Sequence, residues 1–182
     1  MKRLYLILIA LAALLLTGCG SARYEKQFAD FSAALREKTE LSFSADVRAE
    51  YADHTAGFSF RYAGNANECA VTIRKPEILA GVTLHYKDGK STLDYGSISI
   101  DTGVLDTEGL TPASSLPLLV KAFSCGHLDS CYKEDGEIVW HVIPSDGRDV
   151  FLWVDGETLV PTHAELAVGG RTVIFCDISD WN

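Results

Sequence analysis

Two periods of hydrophobic spacing divide this chain. After an apolar run from Leu4 to Leu16, Tyr24, Phe28, Phe31 and Leu35 recur every three to four positions, which predicts an amphipathic helix from about Arg23 to Lys38. Glu25, Lys26, Arg36, Glu37 and Lys38 lie outside that stripe, so the stripe is suited to packing on a sheet rather than on lipid. From Leu41 the period drops to two. Leu41, Phe43, Ala45, Val47, Ala49 and Tyr51 alternate with Ser42, Ser44, Asp46, Arg48 and Glu50, the pattern of a strand buried on one face. Beyond the turn Ala52-Asp53-His54, Ala56, Phe58, Phe60 and Tyr62 repeat the alternation and predict an antiparallel hairpin. Cys69, Val71 and Ile73 mark a third strand, stopped by Lys75-Pro76. Val82-Leu84-Tyr86, Leu93-Tyr95 and Ile98-Ile100 extend the series, the first two joined at Asp88-Gly89, where glycine accepts the positive φ of a tight turn.

The pattern breaks at Gly109-Leu110-Thr111-Pro112. Leu116, Leu119, Val120 and Phe123 then run at helical spacing to Gly126, predicting a second, short helix. Four more strands follow, at 137–143, 150–154, 159–168 and 172–178, separated by turns at Asp135-Gly136, Ser145-Asp146-Gly147, Asp155-Gly156 and Gly169-Gly170. The expectation is therefore an α+β domain that is mainly β, with about ten antiparallel strands and two helices. Trp140, Phe151 and Trp153 put aromatics on both faces of this last part, so its second face is expected to be covered as well, by helix or by ligand.

The N-terminus changes the picture by adding an address. Met1-Lys2-Arg3 precedes the apolar run, and Leu16-Thr17-Gly18-Cys19 follows it. About 13 apolar residues fall short of the roughly 20 a bilayer-crossing helix needs, so a processed signal is expected. Leu16-Thr17-Gly18-Cys19 resembles the bacterial lipobox at all four positions. That resemblance implies removal of residues 1–18, lipidation of Cys19, a short tether over 19–22 and one extracytoplasmic domain over 23–182, held on the cell membrane by lipid. Removing Lys2 and Arg3 from 16 basic residues set against 25 acidic ones moves the formal charge from −9 to about −11. So negative a surface disfavours nucleic acid and anionic headgroups, which leaves the lipid on Cys19 to provide attachment.

Candidate chemistry is sparse. Cys69, Cys125, Cys131 and Cys176 are an even number in an exported chain, and three pairings are open, as is the fully reduced state. Cys125 with Cys131, closing a small loop around Gly126, is the favoured disulfide. Cys125, His127, Asp129 and Cys131 crowd four metal-ligand types into seven residues, too close on one loop to surround an ion, so no metal is expected. His85, His141 and His163 have no carboxylate or serine at an interpretable spacing. There is no Gly-x-Ser-x-Gly elbow, phosphate-cradling loop or His-Glu-x-x-His helix. Neither an enzyme nor a cofactor is expected.

Together, the lipobox, the amphipathic helix, the strands and the mid-chain helix resemble the LolA/LolB-like carriers, a superfamily that includes lipid-binding mycobacterial lipoproteins. Lys75-Pro76-Glu77-Ile78-Leu79-Ala80-Gly81-Val82, Tyr86-Lys87-Asp88-Gly89 and Pro161-Thr162-His163-Ala164-Glu165-Leu166 carry the resemblance most closely. It implies a strongly curved half-open barrel with both helices plugging its concave face, and an apolar cavity between them for an acyl chain or an acylated partner. The expected lining is Phe28, Phe31, Phe43, Val47, Phe58, Phe60, Val71, Ile73, Leu84, Leu119 and Phe123, in a monomer. Filled core is the simpler expectation for each of these side chains alone. A filled cavity with an exposed apolar patch would instead mark an envelope interaction or sensor module on the same fold.

Overall fold

A computed structural model describes residues 19–87, 89–103, 111–144 and 147–182. The expected signal segment and cleavage site, Asp88, Gly109-Leu110 and Ser145-Asp146 lie outside the described residues, as does the Cys19 side chain. Helix α1 spans Cys19–Glu37. It starts four residues earlier than the apolar stripe alone requires, so the positions expected to form a tether are its first turn. No described helix is long and apolar enough to cross a membrane.

Strands β1 (Leu41–Glu50), β2 (Thr55–Gly64), β3 (Glu68–Lys75), β4 (Thr83–Lys87), β5 (Lys90–Tyr95) and β6 (Ile98–Gly103) form one meander. Helix α2 (Pro112–Cys125) leads into a second, of β7 (His127–Glu134), β8 (Glu137–Ile143), β9 (Asp149–Asp155), β10 (Pro161–Val168) and β11 (Arg171–Ser179). Pairing of β1 with β11 fuses the meanders into a single antiparallel sheet, ordered β6-β5-β4-β3-β2-β1-β11-β10-β9-β8-β7. The sheet is open at β6 and β7, which makes it the half-open barrel expected, with eleven strands rather than about ten. The additional strand is β7. Its residues are mostly polar and exposed, so the period-two signal is missing, and its ladder comes from β8 alone.

Because β6 and β7 are opposite edges, the chain between them must cross the sheet, and α2 lies along that crossing. It packs on β1, β2, β3, β8 and β10, burying Leu116, Leu119, Val120 and Phe123. Thr111 caps its start by accepting from the Ser114 N–H, and Pro112 occupies the first turn, where a missing N–H costs nothing. Its other end is held by α1: Ser32 Oγ and Arg36 Nη1 donate to the Ser124 carbonyl at 2.9 and 2.8 Å. Gly126 then lets the chain turn tightly onto β8, because a Cβ there would sit 2.4 Å from Val142 Cγ1 and 2.5 Å from the Ala122 carbonyl oxygen.

Candidate functional site

The strand registers align side chains in rows across the concave face, and two of these rows locate the site. One runs from the middle of the sheet to the β6 edge: Phe43, Tyr62, Val71, Leu84, Leu93, Ile100. From Phe43 to Leu84 no member is more than 5% exposed, Leu93 is half-buried, and Ile100 is 52% exposed. The other runs toward β7: Val47, Cys176, Ala164, Leu152, Trp140, Cys131. It stays buried through Trp140, which lies under Phe28 and Phe31 of α1 at ring-centroid distances of 5.4 and 5.3 Å. The concave face is therefore filled as far as β8, with a groove of ≈ 490 Å³ left between α1 and β7, while its other end opens to solvent over β5 and β6.

All eleven residues expected to line a cavity converge on this face in one cluster. Eight of them, Phe28, Phe43, Val47, Phe60, Val71, Leu84, Leu119 and Phe123, are at most 6% exposed, and of these Phe28 borders the groove between α1 and the start of β7. They form core rather than cavity wall, because α2 drives Leu119 and Phe123 into the concavity and fills it. Phe31, Phe58 and Ile73 are half-buried. Around the open end Tyr95 and Ile98 are exposed, and Ile78 and Leu79 are exposed on the 3-10 turn Glu77–Leu79 that follows β3. Those residues were legible as strand and loop but not as site, since only the strand order places β6 at an edge.

Cys69, Cys125, Cys131 and Cys176 form no disulfide with one another. Cys125 ends α2 while Cys131 is the fifth residue of β7, so extended strand carries them apart at about 3.3 Å per residue, beyond the roughly 4.4–6.8 Å between Cα atoms that a disulfide needs. Burial pushes the Cys69 thiol up to about 11, against which a hydrogen bond with Tyr62 pulls down. The Tyr62 phenol is raised beyond the ordinary range by burial and then by Cys69.

His85, His141 and His163 each meet a carboxylate supplied by a neighbouring strand and so invisible to linear spacing, and His163 also meets Glu165 of its own strand. His85 lies 3.2 Å from Asp94, and His163 lies 2.7 Å from Asp177 and 3.4 Å from Glu165. His141 sits between Asp129 at 3.2 Å and Asp149 at 2.8 Å, with Ser130 Oγ 3.5 Å from the nitrogen that faces Asp129. Both imidazole nitrogens are thus occupied, which leaves none free to take a proton from Ser130. No group of three or more His, Cys, Asp or Glu arranged to hold a metal occurs among the described residues.

No protein-family model matches the chain, and no curated protein sequence matches it. Solved structures do resemble it. A DUF1329 family protein from Desulfovibrio piger superposes with a TM-score of 0.51 at 10% identity, covering 86% of this chain and 90% of its own. A LolA superfamily protein from Nitrosomonas europaea gives 0.47 at 15% identity over 86% and 92%. A putative outer membrane lipoprotein-sorting protein domain from Vibrio parahaemolyticus gives 0.48 at 10% over 86% and 90%. The fold is a half-barrel, an open antiparallel sheet with helices laid in its concave face, and it is shared with the DUF1329 family protein.

Proposed function

We propose that this chain is a lipid-anchored extracytoplasmic lipoprotein without enzymatic activity, which takes an acyl chain of a lipid or of an acylated partner at the open end of its concave face. The loss of burial along the row from Phe43 to Ile100 carries this reading. An apolar strip continuous with the core reaches solvent there among the described residues, with Tyr95 and Ile98 exposed beside it. Water is displaced from such a strip at a gain of about 25 cal/mol per Å² of apolar surface covered. The lipobox supports the anchor, and the LolA-like fold is compatible with the ligand class.

The test is a titration of the full chain, in non-ionic detergent below its micellar threshold, with a fluorescent fatty acid, beside organic extraction and mass spectrometry of the purified protein. Ile100→Asp, which leaves the core untouched, is expected to weaken binding about tenfold, the effect of losing one well-buried aliphatic contact. If the unaltered chain binds neither fatty acid nor phospholipid, the ligand reading is lost. The packed centre of the core is the mark expected of an interaction module, and that module binds no free fatty acid. Cys19→Ser should release folded protein into the soluble fraction; continued membrane association would overturn the anchor.

A further inference from the structure

The convex face of a half-barrel normally meets water, and over β1 to β4 it does so with Ser44, Asp46, Arg61, Thr72 and His85. Over β7 to β11 the same face is aromatic. Tyr132, Val139 and Trp153 are direct neighbours in one row, and His141, Phe151, Glu165 and Phe175 in the next. Val139 is fully buried on this outer face. No described helix packs there, so the helix cover that aromatics on both faces called for is not supplied by the described chain.

Between these rows lies a concavity of ≈ 360 Å³, walled by Tyr132, Phe151 and Trp153, floored by Ala167, Gly170 and Thr172, and rimmed by Asp149 and Glu165. Its rings are fixed from behind: His141 stacks on Phe151 at 4.4 Å, and His163 meets Trp153 edge-on at 5.1 Å. Thr172 Oγ1 donates to Glu165 at 3.1 Å, and Trp153 Nε1 donates to Glu134 at 3.4 Å. Burial first, then the carboxylates of Glu134 and Glu165, raise the Tyr132 phenol, so negative potential reaches this wall. No lysine or arginine lines the concavity. In the same row, Phe175 already carries a cation of the chain's own: Arg48 Cζ stands 3.9 Å from its ring centroid.

Asp149 and Glu165 meet His141 and His163 but no lysine or arginine of the lining, and aromatic faces beside such carboxylates attract a cation with an apolar stem, through the ring quadrupole and by direct charge. The opening has the volume for one side chain, and it sits in a broad sheet face able to receive the rest of a protein surface. We propose that this concavity on the convex face receives a lysine or arginine side chain from a basic segment of a partner protein, with Trp153 and Phe151 packing on its stem and Glu165 and Asp149 binding its charge.

The test immobilises the full chain and measures binding of a hexapeptide carrying two arginines, beside its lysine, glutamate and glutamine counterparts. The arginine and lysine peptides should bind saturably, the glutamate and glutamine peptides should not, and Trp153→Leu should weaken binding about tenfold. Should Trp153→Leu fail to fold by circular dichroism, Glu165→Gln, which keeps size and shape, is expected to weaken binding about fivefold. Binding that survives these variants and vanishes only with salt would be attraction to the net charge of the whole chain and would overturn the proposal. So would equal binding of the glutamine peptide, or no binding at all.

Discussion

The two halves of the sheet use the same alternation of apolar and polar residues and end differently. Toward β7 the concave row stays buried as far as Trp140, because α1 lays Phe28 and Phe31 over it. Toward β6 the row loses its cover strand by strand until Ile100 meets solvent. A strand's inward side chains are therefore only potentially core; whether they become so depends on a helix being supplied on that side. Here the helices fall mainly over the centre and the second half, and the first half keeps apolar surface for something else.

The comparison breaks most readily through Trp140. Trp140→Ala is expected to cost about 3–5 kcal/mol in urea unfolding, the penalty for emptying a large buried site. A cost under about 1 kcal/mol would show that the second half is not filled. Next comes the joint that fills it. Gly126→Ala forces a methyl group against Val142 and the end of α2, so a loss of about 1–3 kcal/mol is expected, and an unchanged midpoint would mean that α2 is not seated on β8.

Alkaline titration questions both halves at once. In the folded chain burial raises the Cys69 thiol to about 11 and the Cys176 thiol further, whereas both ionise near 9 when exposed. Above that pH the folded state holds more protons than the unfolded state. Stability should therefore fall as pH rises, by about 1.4 kcal/mol per unit for each thiol. Cys69→Ala should about halve the fall in urea midpoint between pH 9 and 11, and Cys176→Ala should remove the part of the slope that continues beyond. Smallest of all is Ile100→Ala, expected within about 0.5 kcal/mol of the unaltered chain. If it cost as much as Trp140→Ala, the two ends of the concave face would not differ.

The sequence carried the fold wherever burial wrote itself as period. Leu41 to Tyr51, Phe58 to Tyr62 and the stripe from Tyr24 to Leu35 could be read directly, because one face of each is apolar. β7 could not, since an edge strand of exposed residues such as Asp129, Ser130, Lys133 and Glu134 has no inside to declare. Whether the cavity is open was not legible for a related reason: filled core was the simpler expectation for Phe43 and Phe123 one by one, but only the placement of α2, which carries Phe123, shows them packed. Nor did linear spacing pair His141 with Asp149 or His163 with Asp177, because strand register brings those groups together.

The seam between β1 and β11 has a kinetic consequence. Residues 44–49 pair with residues 174–179, so β1 must wait for about 130 residues of chain before it gains its second neighbour. Each meander can form from near neighbours, but the barrel's middle closes only once the last strand arrives. Folding is thereby timed by the end of the chain, and a chain lacking its final strand should stall as two hairpin arrays with the edges of β1 and β10 exposed to pairing with other molecules.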